Sequence, residues 1–262
     1  MRSGSGMLSR VLLGIAGVLG FLLIWQLAAA VGWINAKYVP PPTEVFASLG
    51  SQLLDLQYWR AIGNTLTTWS IGLGISIALA VVLGTVIGLV PFLRRYTRST
   101  IEFLRPIPSV AIIPIAIMSF GPNREASLVI VVFATFWQVF IQVLYGVADV
   151  DPVARDTQRS FGIGPFQRLP HLVLPTALPY LITGIRLGAT VALILTVTGE
   201  LIIGVPGIGR LLTQRATAGD YAGVYAMVIT AGALALIINL IIRVIERRAL
   251  AWHQSVRGEV VL

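Results

Sequence analysis

Few side chains in this sequence could perform covalent or metal chemistry, and none stands in a known catalytic arrangement. There is no cysteine, which excludes a disulfide framework, a thiolate zinc site and a catalytic thiol. The two histidines, His171 and His253, lie far apart in sequence and argue against a metal site. The sole lysine, Lys37, sits in Asn35-Ala36-Lys37-Tyr38, outside the Gly-x-x-x-x-Gly-Lys-Ser/Thr context by which a phosphate-binding loop holds ATP. Any use of ATP therefore falls to a partner chain. Pro206-Gly207-Ile208-Gly209-Arg210-Leu211-Leu212 is a poor nucleotide site as well, since no strand precedes it, and it reads as a short interfacial or re-entrant piece.

These residues must be positioned by membrane-spanning elements. Of 262 residues, 56% are hydrophobic and 11% charged, against about 25% charged in a soluble domain. Mean hydropathy is +0.86. A soluble enzyme and a disordered chain are both excluded, and an all-α integral membrane protein is expected as a single transmembrane domain over residues 1–262. Apolar stretches at 11–31, 65–90, 99–120, 126–147, 176–203 and 224–245 each suit a helix of roughly 20 residues, six in all. Nothing alternates as barrel strands do. The first stretch is longer than the roughly 7–15 apolar residues of a signal peptide and reads as an uncleaved span. Six spans put both termini on one side. Thirteen basic residues, among them Arg94, Arg95, Arg98, Arg105, Arg155, Arg159 and Arg168, fall on that side and five on the other, with Arg186 inside a span. The positive-inside rule then places both termini in the cytoplasm. Trp33, Tyr38, Trp59, Trp69, Tyr221 and Tyr225 are expected near outer span ends, and Tyr96, Tyr145, Tyr180 and Trp252 near inner ends, as two interfacial belts. In such a protein the arginine excess orients the chain and does not point to nucleic acid.

Within the spans, polar and irregular residues are the functional candidates. Arg186 lies about ten residues, or about 15 Å, into the fifth span. At mid-helix it costs about 2.5–3.5 kcal/mol to insert, so it faces a pathway or gate, or it snorkels or forms a structural ion pair. Glu200, near the outer end of the same span, lines an outer vestibule or ties down the turn from Gly204 to Leu212. Pro106, Pro108 and Pro114 should distort the third span and free backbone carbonyls, either along a translocation path or at a packing kink. Gly84-x3-Gly88 and Gly184-x3-Gly188 suit close helix packing. Gln138, Gln142 and Asn239 read as interhelical hydrogen-bond partners.

The longest polar segment on the cytoplasmic side is Asp149 to Pro175. Asp151-Pro152 is a helix start, with Asp as N-cap and Pro at the first helical position. A short helix over Val153 to Phe161 would stop at Gly162-Ile163-Gly164-Pro165, and a second over Phe166 to Leu174 would lead to Pro175. This is a docking element for a partner, or an amphipathic hairpin on anionic lipid.

Asp156-Thr157-Gln158-x3-Gly162-x9-Leu172-x-Leu174-Pro175 resembles the EAA loop of permease subunits from binding-protein-dependent ABC importers. There the pattern is Glu-Ala-Ala, three residues, Gly, nine residues, Ile-x-Leu-Pro. Thr157 and Gln158 replace the two alanines, Asp156 stands for the Glu and Leu172 for the Ile. Phe103-Leu104-Arg105-Pro106-Ile107-Pro108, Gly184-Ile185-Arg186, Gly199-Glu200-Leu201-Ile202, Gly207-Ile208-Gly209, Glu246-Arg247-Arg248 before Trp252, and Val39-Pro40-Pro41-Pro42 are similar to the nitrate/sulfonate/taurine branch. The resemblance covers about Tyr38 to Trp252.

It implies a type I ABC importer (MetI-like) permease fold in the cell membrane of a prokaryote. Two permease chains pair, most simply as a homodimer. Each docks a cytoplasmic ATPase, which binds the ATP and magnesium, so this chain needs no cofactor of its own. An extracytoplasmic binding protein delivers a small, anionic solute. Gly162 lets a partner backbone approach, Phe161, Ile163 and Phe166 plug a partner groove, and Pro175 fixes the loop's angle to the fifth span. Two rival classes stay open on the residues alone. A self-sufficient secondary transporter or channel would ordinarily carry an acid in mid-span for ion coupling. An intramembrane enzyme would need a paired acid–base constellation.

Overall fold

The computed structural model describes residues 4–251. Arg2, Trp252, His253 and Arg257, which entered the charge and aromatic readings, lie outside the described residues. The described chain is helical throughout, in the order α1 (Gly4–Ala30), α2 (Pro42–Gln52), α3 (Leu56–Leu89), α4 (Pro91–Leu104), a 3-10 turn (Ser109–Ile112), α5 (Ile113–Phe120), α6 (Arg124–Ala148), α7 (Pro152–Ser160), α8 (Pro165–Arg168), a π-helical segment (Leu169–Val173), α9 (Leu174–Ile203), α10 (Ile208–Thr217) and α11 (Tyr221–Ala249). Five helical stretches are long and apolar enough to cross a membrane, and α4 with Ser109–Phe120 makes a sixth if that bent pair counts as one span.

Local chemistry sets the boundaries. Asn123 caps α6 by accepting the Ala126 N–H at 3.1 Å, and Asp151 caps α7 by accepting the Val153 N–H at 2.8 Å, each satisfying an amide that the helix leaves free. The segment expected as one span over 99–120 is divided. Between Leu104 and Ser109 the helix breaks and turns by 84°. Pro106 and Pro108 lie in that break, where missing N–H groups and ring clashes prevent α-helical bonding, while Pro114 sits harmlessly in the first turn of α5. The second spanning helix, α3, starts at Leu56, nine residues before the expected Thr65. Trp69 is therefore inside α3 and not at its end, and its indole N–H donates to the Ala189 carbonyl at 2.9 Å.

Two compact units make up the chain: Met1–Arg60 with Leu211–Ala231, and Ala61–Arg210 with Gly232–Leu262. In the first, α1 leaves its apolar side chains open to the surroundings, Leu13, Phe21 and Ile24 being more than 60% exposed, as suits a lipid-facing helix. Its polar Gln26 accepts the Thr43 N–H at 3.3 Å. Trp25 meets Tyr225 and Tyr38 meets Tyr221, with ring centroids 5.8 and 5.3 Å apart.

The second unit is built on α6 packed along α9. Small residues let these helices meet: a methyl on Gly146 would come within 2.8 Å of the Ala177 Cα, and one on Gly184 within 3.1 Å of the Val139 Cα. Gly84 and Gly88 bring α3 against Val143 and Val147 of α6 in the same way. Ile130, Val131, Val139, Phe140, Ala189 and Ala192 form the buried core.

Candidate functional site

Three features of the second unit carry the candidate residues. The first is the loop between α6 and α9. Asp151 starts α7, and Gly162 ends it with φ +74°, a backbone conformation that glycine adopts without strain. The Gly162 N–H bonds the Arg159 carbonyl at 2.9 Å and the Ile163 N–H bonds the Gln158 carbonyl at 3.0 Å. Arg168 closes the turn, its Nε donating to the Ile163 carbonyl at 2.9 Å. Around this corner Phe161 is 80% exposed and Val153 71% exposed, and the space over Gly162 is open. Asp156 and Thr157 are exposed, while Gln158, Ile163 and Leu172 are partly buried. Leu172 packs into the cluster around Val143, Val147 and Val173. The side chain of Phe166 lies outside the described residues.

The second short helix does not stop before the span. The expected helix over Phe166 to Leu174 is instead α8 followed by the π-helical Leu169–Val173, running directly into α9. Pro175, in the first turn of α9, donates no N–H, and its ring crowds the carbonyl four residues earlier. The wider turn immediately before it takes up that crowding. Leu174 and Pro175 are both exposed there. Tyr180 donates its hydroxyl to Asp149 at 3.0 Å, which ties the start of α9 to the end of α6.

The second feature is Arg186. Its guanidinium reaches Glu246 of α11 at 3.1 Å, with the arginine side chain 40% and the glutamate 18% exposed. The inserted charge is thus met by a carboxylate, one of the alternatives left open above. Glu246 stood in the sequence only as part of a terminal charge run, and a separation of sixty positions hides the pairing.

The third feature is Glu200, which has no exposed surface. Its carboxylate accepts the Gly209 N–H at 2.9 Å and lies 2.8 and 3.0 Å from the Thr65 hydroxyl. That hydroxyl in turn accepts the Ile208 N–H at 2.9 Å. Both amides belong to the first turn of α10, where free N–H groups and the helix dipole favour an anion. These bonds offset the cost of burying the carboxylate. Gly207 leaves room for the Glu200 carboxylate, because a Cβ there would fall on it and force it out of these hydrogen bonds. Glu200 is thus tied to the 204–210 turn, and Thr65 is the partner that sequence reasoning missed. The only available signal was that a buried acid needs donors, and 135 residues separate the two.

Comparison with known proteins matches this architecture. Residues 70–250 match the model of the family described as binding-protein-dependent transport system inner membrane component. The chain is 29% identical over 95% of its length to the taurine transport system permease protein TauC of Escherichia coli, covering 92% of that protein. It is 26% identical over 92% of its length to the bicarbonate transport system permease protein CmpB of Synechococcus elongatus, covering 90% of it. Among solved structures, a bacterial ABC transporter involved in the import of the acidic polysaccharide alginate contains a chain with TM-score 0.66 and 16% identity, with coverage of 93% of this chain and 94% of that one. The inward-facing MetNI methionine ABC transporter gives TM-score 0.64 at 17% identity, covering 72% of this chain and 94% of that one.

The chain therefore belongs to the binding-protein-dependent transport system inner membrane component family. It is a membrane permease subunit of an ATP-binding cassette importer and not an enzyme, and membership implies ATPase and solute-binding partners.

Proposed function

We propose that this permease moves a small anionic solute of the sulfonate, taurine or bicarbonate class, and that the loop from Asp149 to Pro175 couples it to its ATPase. The solute class rests on the relatives named for taurine and bicarbonate and for aliphatic sulfonates. One observation carries the coupling role: a corner with Phe161 exposed and open space over Gly162 is followed at Pro165 by a helix that continues without a break into α9. A partner groove that takes Phe161 would pull on the span itself, and no slack linker would absorb the movement. Two copies pair as a homodimer, ATP and magnesium are held by two partner ATPases, and both termini face the cytoplasm. The proline break at Pro106 and Pro108 lies along the solute path. Arg186, neutralised by Glu246, fastens α9 to α11, and Glu200 holds the turn before α10.

The test is Gly162→Arg, assembled with its ATPase and receptor protein in proteoliposomes. Receptor-stimulated transport should disappear while the chain still inserts and still dimerises. Normal transport by that variant would remove the coupling role.

A further inference from the structure

Helix α4 is too short to span a membrane. Its 14 residues rise about 21 Å, against a hydrocarbon core of about 30 Å. It turns 84° away from the segment that follows, and it buries none of its side chains. At about 100° per residue, Phe92, Tyr96 and Phe103 share one side of the helix. They are 63%, 68% and 73% exposed, and the rings of Phe92 and Tyr96 meet with centroids 4.3 Å apart. Arg94, Arg98, Ile101 and Arg105 share the opposite side, spaced i, i+4, i+7 and i+11. An aromatic face opposite a cationic face is the composition of a helix lying in the membrane interface.

The cationic face does not point only into solvent. Arg94, Arg98 and Arg105 line a cavity of about 610 Å³, and its other wall is Ile87 of α3 with Ile141 and Leu144 of α6. Glu102 also lines it and pairs with Arg98 at 2.9 Å. Among the described residues, Arg94 and Arg105 have no carboxylate partner. The cavity thus offers two uncompensated guanidinium groups beside an apolar wall, on the side of α4 opposite its aromatic face.

We infer that this cavity binds the phosphate headgroup of an anionic membrane phospholipid, with its acyl chains running along Ile87, Ile141 and Leu144. Guanidinium groups recognise phosphate through paired N–H donors, and basic pockets between membrane helices hold such headgroups. A free oxyanion would use the same charges but has no use for the apolar wall. Pro106, at the break proposed for the solute path, also borders the cavity, but the lipid proposal does not depend on which solute is carried or on the coupling loop.

The experiment takes the full chain from vesicles of equimolar phosphatidylcholine and phosphatidylglycerol into mild detergent and weighs the retained lipid by native mass spectrometry. Phosphatidylglycerol should be retained in preference to phosphatidylcholine. Arg94→Gln with Arg105→Gln should lower that retention by about fivefold for each arginine removed. Arg94→Lys with Arg105→Lys should preserve most of it, and Arg155→Gln, on α7 and outside the cavity lining, should not change it. Excess inorganic phosphate should not strip the lipid. Equal retention of the two lipids by the wild-type chain overturns the inference, and this outcome needs no variant to fold. So does an equal loss in Arg155→Gln, or displacement by inorganic phosphate, which would make the cavity a free-anion site. Retention of phosphatidylglycerol only by single chains and not by paired ones would assign the cavity to a second copy instead.

Discussion

Glu200 admits two readings in sequence, a vestibule group or a tie for the turn before α10, and its hydrogen bonds are those of the tie. A carboxylate in an apolar run reads as a pathway group because burial of an unpaired charge is so costly. Here Thr65 and the first amides of α10 surround it, and the neighbouring glycines exist because nothing larger fits. The arrangement predicts that Gly207→Ala, which places a methyl on the carboxylate, destabilises the chain by roughly 1–3 kcal/mol. Thermal unfolding of the detergent-solubilised protein measures this, and an unchanged midpoint would mean that the network yields freely. Thr65→Val should cost a similar amount by leaving Ile208 N–H without its acceptor. The same residues mark a boundary of legibility. A buried acid announces its need for donors, but no local pattern points to a threonine 135 positions away.

At the scale of elements, caps and breaks were more legible than joins. Asp151-Pro152, Gly162 and the paired prolines at 106 and 108 act through backbone rules that operate within a few residues, so the start of α7, its end and the break in the third apolar segment could all be read. The fusion of α8 into α9 could not, because Gly164-Pro165 and Pro175 look like two stops, and only the π-helical turn reconciles them. The size of the bend after α4 was equally hidden, since a proline pair licenses a break without fixing its angle. One further cap is testable. Asp220 precedes α11, accepts the Gly223 N–H at 2.8 Å and pairs with Arg215 at 2.7 Å. Burial alone would push its carboxyl up, but the hydrogen bonds from Arg215 and Gly223 and the arginine's charge outweigh this and leave it below the ordinary carboxylate range. A carboxyl depressed on folding stabilises the fold above its unfolded value of about 3.9 and loses that contribution as pH falls through the folded one. Asp220→Asn should therefore melt earlier than wild type at neutral pH, and the difference should close below about pH 4. A gap that persists in acid would show that the cap acts through shape and not charge.

For the whole molecule, composition was decisive about environment, because lipid imposes it over long distances, while charge asymmetry supplies the proposed orientation. Orientation has a direct measurement. Lys37 is the only lysine, it is exposed in the connection after α1, and its ammonium lies 5.7 Å from the Tyr38 ring centroid. A membrane-impermeant amine reagent applied to intact spheroplasts should modify Lys37 and leave the N-terminal amine untouched, as read by peptide mapping. Modification of Lys37 only after lysis would reverse the proposed topology. The π-helical Leu169–Val173 has a last consequence, which concerns angle and not distance. Because α8, the π-helical segment and α9 form one continuous helix from Pro165, the azimuth at which the turn at Gly162–Gly164 enters that helix is locked to the azimuth of every side chain along α9. One residue fewer in that wide turn would restore ordinary α-helical winding and swing the docking corner about the span axis by one helical step, about 100°. The joint works as a gear setting between the loop and the span, with one tooth per residue.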